Sequence, residues 1–85
     1  MPTIIRQEGF RIVIYPNDHM PAHVHVIKGD GEVRIKLGRE ELLMPPSLIT
    51  VMGKISDKDV AKALFLVTEN HSQLLTKWRE FHNES

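Results

Sequence analysis

Three imidazoles and a carboxylate fall within the nine residues of DHMPAHVHV, positions 18–26. His23 and His25 stand at i and i+2, and in a strand that spacing sends both rings to the same side. Two such rings can hold a divalent transition metal. His19, with Asp18 beside it, can swing in from the preceding loop, which Pro21 holds extended. A His19/His23/His25 set with a coordination position left open can acidify water, as in a metal-dependent hydrolase or nuclease. The same stretch admits a different chemistry. Arg34 and Lys36 are the expected cross-strand neighbours of the two histidines. They repel a cation, and together with His23 and His25 they offer donors to an anion such as a phosphate backbone. A solvated hairpin face with no ligand is the third reading.

The elements that must position these groups are legible from pattern. TIIR (3–6) is a short β-rich run. FRIVIY (10–15) is apolar at nearly every position and rich in β-branched residues, as expected of a strand covered on both faces. HVHVIK (23–28) and EVRIKL (32–37) alternate with period two around GDG, so a tight hairpin joins them. A two-residue turn fixes the parity: Val24 and Val26 share a face with Val33, Ile35 and Leu37, while His23, His25 and Ile27 share the other with Glu32, Arg34 and Lys36. ELLMPPSLITVMGKI (41–55) reads as a short strand, a break at Pro45-Pro46 and a second extended stretch near Leu48 to Val51. Ser56 followed by Asp59 has the spacing of a capping box. From Val60 the apolar stripe Val60, Leu64, Val67, His71, Leu74, Leu75, Trp78 and Phe81 predicts one long C-terminal helix, with a bend or split expected at TENHS (68–72). Phe65 and Leu66 fall off that stripe and suggest a second apolar surface.

Several residues have structural readings of their own. PND is turn chemistry, so Asp18 is expected to close an Asx-turn rather than to bind a ligand. His71 sits inside the apolar stripe, where a histidine spends its nitrogens on hydrogen bonds, and the hairpin parity puts it across the sheet from His23 and His25. His82 lies near a helix end that favours positive charge, and Trp78 reads as a core anchor. Pro2 in MPTI resembles the catalytic N-terminal proline of tautomerases. A proline leading into a first strand is the simpler explanation.

The bulk properties exclude much. Eighty-five residues make a single domain, 1–85, able to bury about 60–65% of its unfolded surface. The 41% hydrophobic and 26% charged content is that of a soluble globular chain. Eleven basic residues balance eleven acidic ones, so any attraction to nucleic acid must be local. The absence of cysteine removes disulfides, thiolate metal sites and thiol catalysis. No apolar run reaches the roughly 20 residues of a membrane span, and the first residues lack a signal-peptide core, so a cytoplasmic location is expected. No P-loop, Rossmann fingerprint, G-x-S-x-G or H-E-x-x-H occurs. No cofactor motif is present, and a divalent transition metal is the one cofactor that the histidines admit.

Taken together, MPTI (1–4), IYPNDHMPAHVHV (14–26), GE (31–32), ELL (41–43) and ALFLVTENHSQLLTKW (63–78) resemble a bacterial and archaeal family of small proteins known only as domain of unknown function four-one-six-zero. The segment of the form D-H-x-P-x-H-x-H-V is the most specific match. Ala22 and Val24 depart from the proline and phenylalanine usual there, which loosens the loop. The resemblance marks Asp18, His19, Pro21, His23, His25, His71 and Trp78 as family-type positions, and assigns them no reaction. It implies a prokaryotic protein, often encoded beside another small protein of unknown function in toxin–antitoxin-like gene pairs.

The expectation is an α+β domain, with a mainly antiparallel sheet of four to five strands and the C-terminal helix packed on one face. Its expected role is an interaction module of a two-gene system. The module would bind the small protein from the adjacent gene, or nucleic acid, through His23, His25, Arg34 and Lys36. The alternatives are the metal-dependent hydrolase or nuclease at His19, His23 and His25, and a homo-oligomeric structural protein joined by edge strands or by Phe65 and Leu66.

Overall fold

The computed structural model describes residues 3–38 and 44–82. Pro2, Glu41–Leu43 and the short strand expected near residue 41 lie outside the described residues. Among the described residues, five strands and two helices follow in chain order: β1 (Thr3–Gln7), β2 (Phe10–Val13), β3 (His23–Lys28), β4 (Gly31–Lys36), β5 (Ser47–Met52), α1 (Asp57–Glu69) and α2 (His71–Phe81). Each strand pairs antiparallel with the next, so the sheet order is the chain order and β3 is central.

The β3–β4 hairpin has the expected parity. His23 faces Lys36, Val24 faces Ile35, His25 faces Arg34 and Val26 faces Val33. A two-residue turn, Gly29-Asp30, closes it, with Gly29 at φ 55, where a side chain is disfavoured. Gly31 is required for space: a Cβ there would stand 2.6 Å from both the Ile55 Cβ and the Lys54 carbonyl oxygen. One face of the hairpin therefore holds Val24, Val26, Val33, Ile35 and Leu37, all fully buried. Both helices pack on that face through Ala63, Leu66, Val67, Leu74, Leu75 and Trp78, and the buried apolar residues form one cluster. In β2 the successive residues Ile12 and Val13 are both buried, as expected of a strand covered on two sides.

The single long helix of the sequence expectation is two helices. Asn70, at φ −108 and ψ 22, leaves helical geometry and caps α1; its backbone N–H and its side-chain Nδ2 both donate to the Leu66 carbonyl. Asparagine does this readily because its short amide competes with the helix for backbone partners. Thr68 adds a local bond to the Leu64 carbonyl at 2.8 Å. Within α1 the buried face is Ala63, Leu66 and Val67, so Leu66 lies fully in the core and not on a second surface, whereas Phe65 is 53% exposed. The start of α1 is as expected, with Ser56 Oγ accepting from the Asp59 N–H at 3.1 Å. Ion pairs Lys28–Asp59 and Lys62–Glu8 tie the sheet to α1. Among the described residues no helix is long and apolar enough to cross a membrane.

Candidate metal centre

On the face of β3 turned away from the valines, the strand sends His23 and His25 to one side. The two residues of β4 opposite them, Lys36 and Arg34, point the same way. The β2–β3 loop folds back over the pair. A turn in which the Asp18 N–H donates to the Tyr15 carbonyl at 3.1 Å aims the Asp18 carboxylate at both rings. Its Oδ2 lies 2.9 Å from His25 Nε2 and 3.2 Å from His23 Nε2. Asp18 thus makes its turn with the backbone and leaves the side chain for the histidines.

The other nitrogen of each ring is also engaged. His23 Nδ1 is 2.9 Å from the Pro21 carbonyl oxygen, and the Met20–Pro21 peptide bond is cis. His25 Nδ1 is 2.8 Å from Glu32 Oε2. A carbonyl oxygen only accepts, so His23 Nδ1 carries the hydrogen, and a neutral His23 ring then presents a lone pair at Nε2. That lone pair faces a carboxylate oxygen. His25 lies between two carboxylates, and a neutral ring has one hydrogen for two acceptors. The cluster is therefore short of positive charge between Asp18 and the two Nε2 atoms. Either protons or a cation must fill that place.

The three groups converge. The ligand atoms of Asp18, His23 and His25 all lie within 4.8 Å of one another. Donors around a four-coordinate ion with bonds of about 2.0–2.1 Å sit roughly 3.3 Å apart; the Asp18–histidine distances of 2.9 and 3.2 Å are near that value, and the wider separations in the set would close as an ion bound. Glu32 and the Pro21 carbonyl are the outer partners that metal-bound histidines usually have, fixing the ring orientation and leaving Nε2 free to coordinate. Two histidines with one carboxylate and open positions suit zinc, iron or a neighbouring divalent transition metal.

The surroundings are more enclosed than an open polar face. His25 is 5% exposed, with Tyr15 edge-on to it at 4.8 Å. His23 lies 5.5 Å from Trp78, so the end of α2 reaches this side of the cluster. His82 stacks on Trp78 at 3.7 Å and places Nε2 2.9 Å from the backbone oxygen of Asp18. An open cleft of about 480 Å³ begins at the cluster and is lined by Asp18, His19, Met20, Pro21, His23, Arg34, Lys36 and Ile49. Arg34 bends partly back, with one guanidinium nitrogen 4.0 Å from Glu32 Oε2, while its buried Nε has no hydrogen-bond partner among the described residues.

The structure thus joins His23 and His25 to Asp18, with Arg34 and Lys36 beside them. His19 is exposed on the cleft lining and stands outside the cluster, whose third member is Asp18. His71 is not one of the converging residues and hydrogen-bonds through Nε2 to the Leu37 carbonyl, a structural role. Glu32 and His82 have supporting roles that sequence spacing does not reveal. The hairpin parity places Glu32 on the histidine face, but its contact with His25 depends on side-chain direction. His82 meets Asp18 across 64 residues.

Residues 9–79 match the family described as Domain of unknown function (DUF4160), and the chain belongs to that family. No curated protein and no solved structure shows significant similarity to the chain.

Proposed function

We propose that the protein is a metal-dependent hydrolase of phosphate esters, built on Asp18, His23 and His25. The observation that carries this reading is the convergence of a carboxylate oxygen and two Nε2 atoms whose rings are both held from behind through Nδ1. A divalent ion in that place supplies Lewis acidity, lowering the pKa of a bound water to about 7 in favourable sites. Glu32 and the Pro21 carbonyl orient the two rings. His82 holds the backbone oxygen of Asp18, which steadies the loop carrying the third ligand.

The substrate class follows from charge. Asp18 and Glu32 contribute two negative charges and Arg34 and Lys36 two positive ones, so a divalent ion leaves the cleft with a net positive charge. Side chains directly opposite on paired strands have Cβ atoms about 4.5–5.5 Å apart. Arg34, across from His25, and Lys36, across from His23, both line the cleft beside the place that an ion would take. Phosphoryl oxygens match that set, because arginine binds them in a fork and lysine as a point charge. The open cleft admits an extended substrate, including a nucleic-acid strand. In the reaction, water adds across an ester P–O bond: its oxygen joins phosphorus, and one of its protons ends on the released alcohol.

The test uses untagged protein, freed of metal and reloaded with zinc, manganese or iron(II), and assayed on a chromogenic phosphodiester. Metal-dependent turnover is expected, lost in Asp18→Asn. In the Arg34→Ala/Lys36→Ala double variant, KM should rise while the metal content stays that of the native chain. Bound metal without turnover or phosphate binding would overturn the phosphoesterase reading.

A further inference from the structure

We infer that β5 is the seam of a homodimer in which a second copy of the chain pairs antiparallel with it and borders the metal cleft. This inference stands independently of the metal. β5 is the last strand of the sheet, so on one side its N–H and C=O groups have no strand partner among the described residues. Such an edge is a template for another strand. Natural edges are usually protected by charge, proline or a bulge. Ser47–Met52 contains neither a charged residue nor a proline; its one protective device is a bulge at Ile49, between Thr50 paired with Arg34 and Leu48 paired with Ile35. The opposite edge, β1, carries Arg6.

β5 exposes apolar side chains on both of its faces. Leu48 is 48% exposed, Ile49 47%, Val51 41% and Met52 40%. Half-exposed aliphatic side chains on two faces of one edge strand are what a second pair of layers would cover. The strand chemistry also favours a copy of itself. Antiparallel pairing of SLITVM with SLITVM about a two-fold axis brings no charges together, and in the full register it sets Leu48 against Val51 of the partner subunit, with Ser47 and Thr50 as the polar members. It continues the antiparallel order of all five strands into a ten-stranded sheet and closes after two copies. Pairing β5 with β1 would instead be head-to-tail and would leave an open chain.

The seam touches the site. Ile49 lines the cleft together with Arg34 and Lys36, so the partner's β5 extends the cleft wall beyond Ile49. Two clefts then lie on one face of the joined sheet, related by the two-fold axis. A substrate reaching past Ile49 meets the second copy.

Light scattering on a sizing column, across a dilution series of the full chain, tests this. The expected mass is twice 9.8 kDa, falling to one copy in Leu48→Lys/Val51→Lys. Both positions are half-exposed, so the double variant should keep the circular dichroism of the native chain. Hydrogen exchange on the native chain gives a reading that needs no variant: amides within 47–52 should gain protection as concentration rises. A native chain that stays single at every concentration would overturn the inference. So would a dimer in which these amides exchange as in the monomer. Protection of the same amides only when a different protein is added would replace the homodimer with a hetero-complex and likewise overturn it.

Discussion

Replacing Glu32 by glutamine tests the logic of the centre without touching a ligand. Glu32 Oε2 sits 2.8 Å from His25 Nδ1 and holds that ring from behind, with Nε2 turned towards Asp18. The glutamine side chain is nearly isosteric. Its amide oxygen is a weaker acceptor, and its amide nitrogen can turn to donate to Nδ1 instead. That donation would put the ring hydrogen on Nε2 and close the metal position. Losing an outer partner of a metal-bound histidine typically lowers affinity 10- to 100-fold, or about 1.4–2.7 kcal/mol. Titration of zinc into the metal-free protein against a chromogenic chelator measures it, with Glu80→Gln as an exposed control on α2. Nitrogen NMR of the His25 ring should show a shift in hydrogen position that a general loss of stability would not produce. If Glu32→Gln binds zinc as tightly as the native chain, the orienting role assigned to Glu32 is refuted.

Other substitutions probe the fold. His25→Ala leaves Asp18 and Glu32 without their shared partner and opens a space beside Tyr15; a loss of about 1–3 kcal/mol is expected in urea unfolding, discounted because both carboxylates are about a quarter exposed. Leu74→Ala empties part of a fully buried position and should cost about 2.7–5 kcal/mol, much of the roughly 5–15 kcal/mol typical of a domain, so its melting transition should fall sharply. Ser56→Ala removes the cap on Asp59 N–H and should cost about 1 kcal/mol with no change in metal affinity, read by denaturant midpoint and zinc titration together.

Where a periodic pattern meets a one-sided core, the fold was legible in the sequence. The alternation in HVHVIK and EVRIKL gave the facing of the histidines, because a slip of one residue would have turned Val24 and Val26 out of the core. The capping pair Ser56 and Asp59 marked the start of α1 correctly. The break at Asn70 was legible only as weak helix material: whether a helix bends or ends depends on tertiary packing, here of Leu66 and Leu74 on the same sheet face. At the site, the spacing in the sequence identifies the two converging rings and their basic neighbours. It favoured His19 over Asp18, because the aspartate's turn chemistry is satisfied by backbone alone and the loop path decides where the carboxylate points. The burial of His25 was likewise hidden, since it comes from the β2–β3 loop folding over the strand.

X-ray absorption at the zinc edge, on the one-to-one complex of untagged protein, tests the central claim most directly. The account predicts a first shell of nitrogen and oxygen at about 2.0–2.1 Å with two imidazoles, falling to one in His23→Ala. Zinc that washes out of the native protein on desalting, or a shell unchanged by His23→Ala, would contradict it.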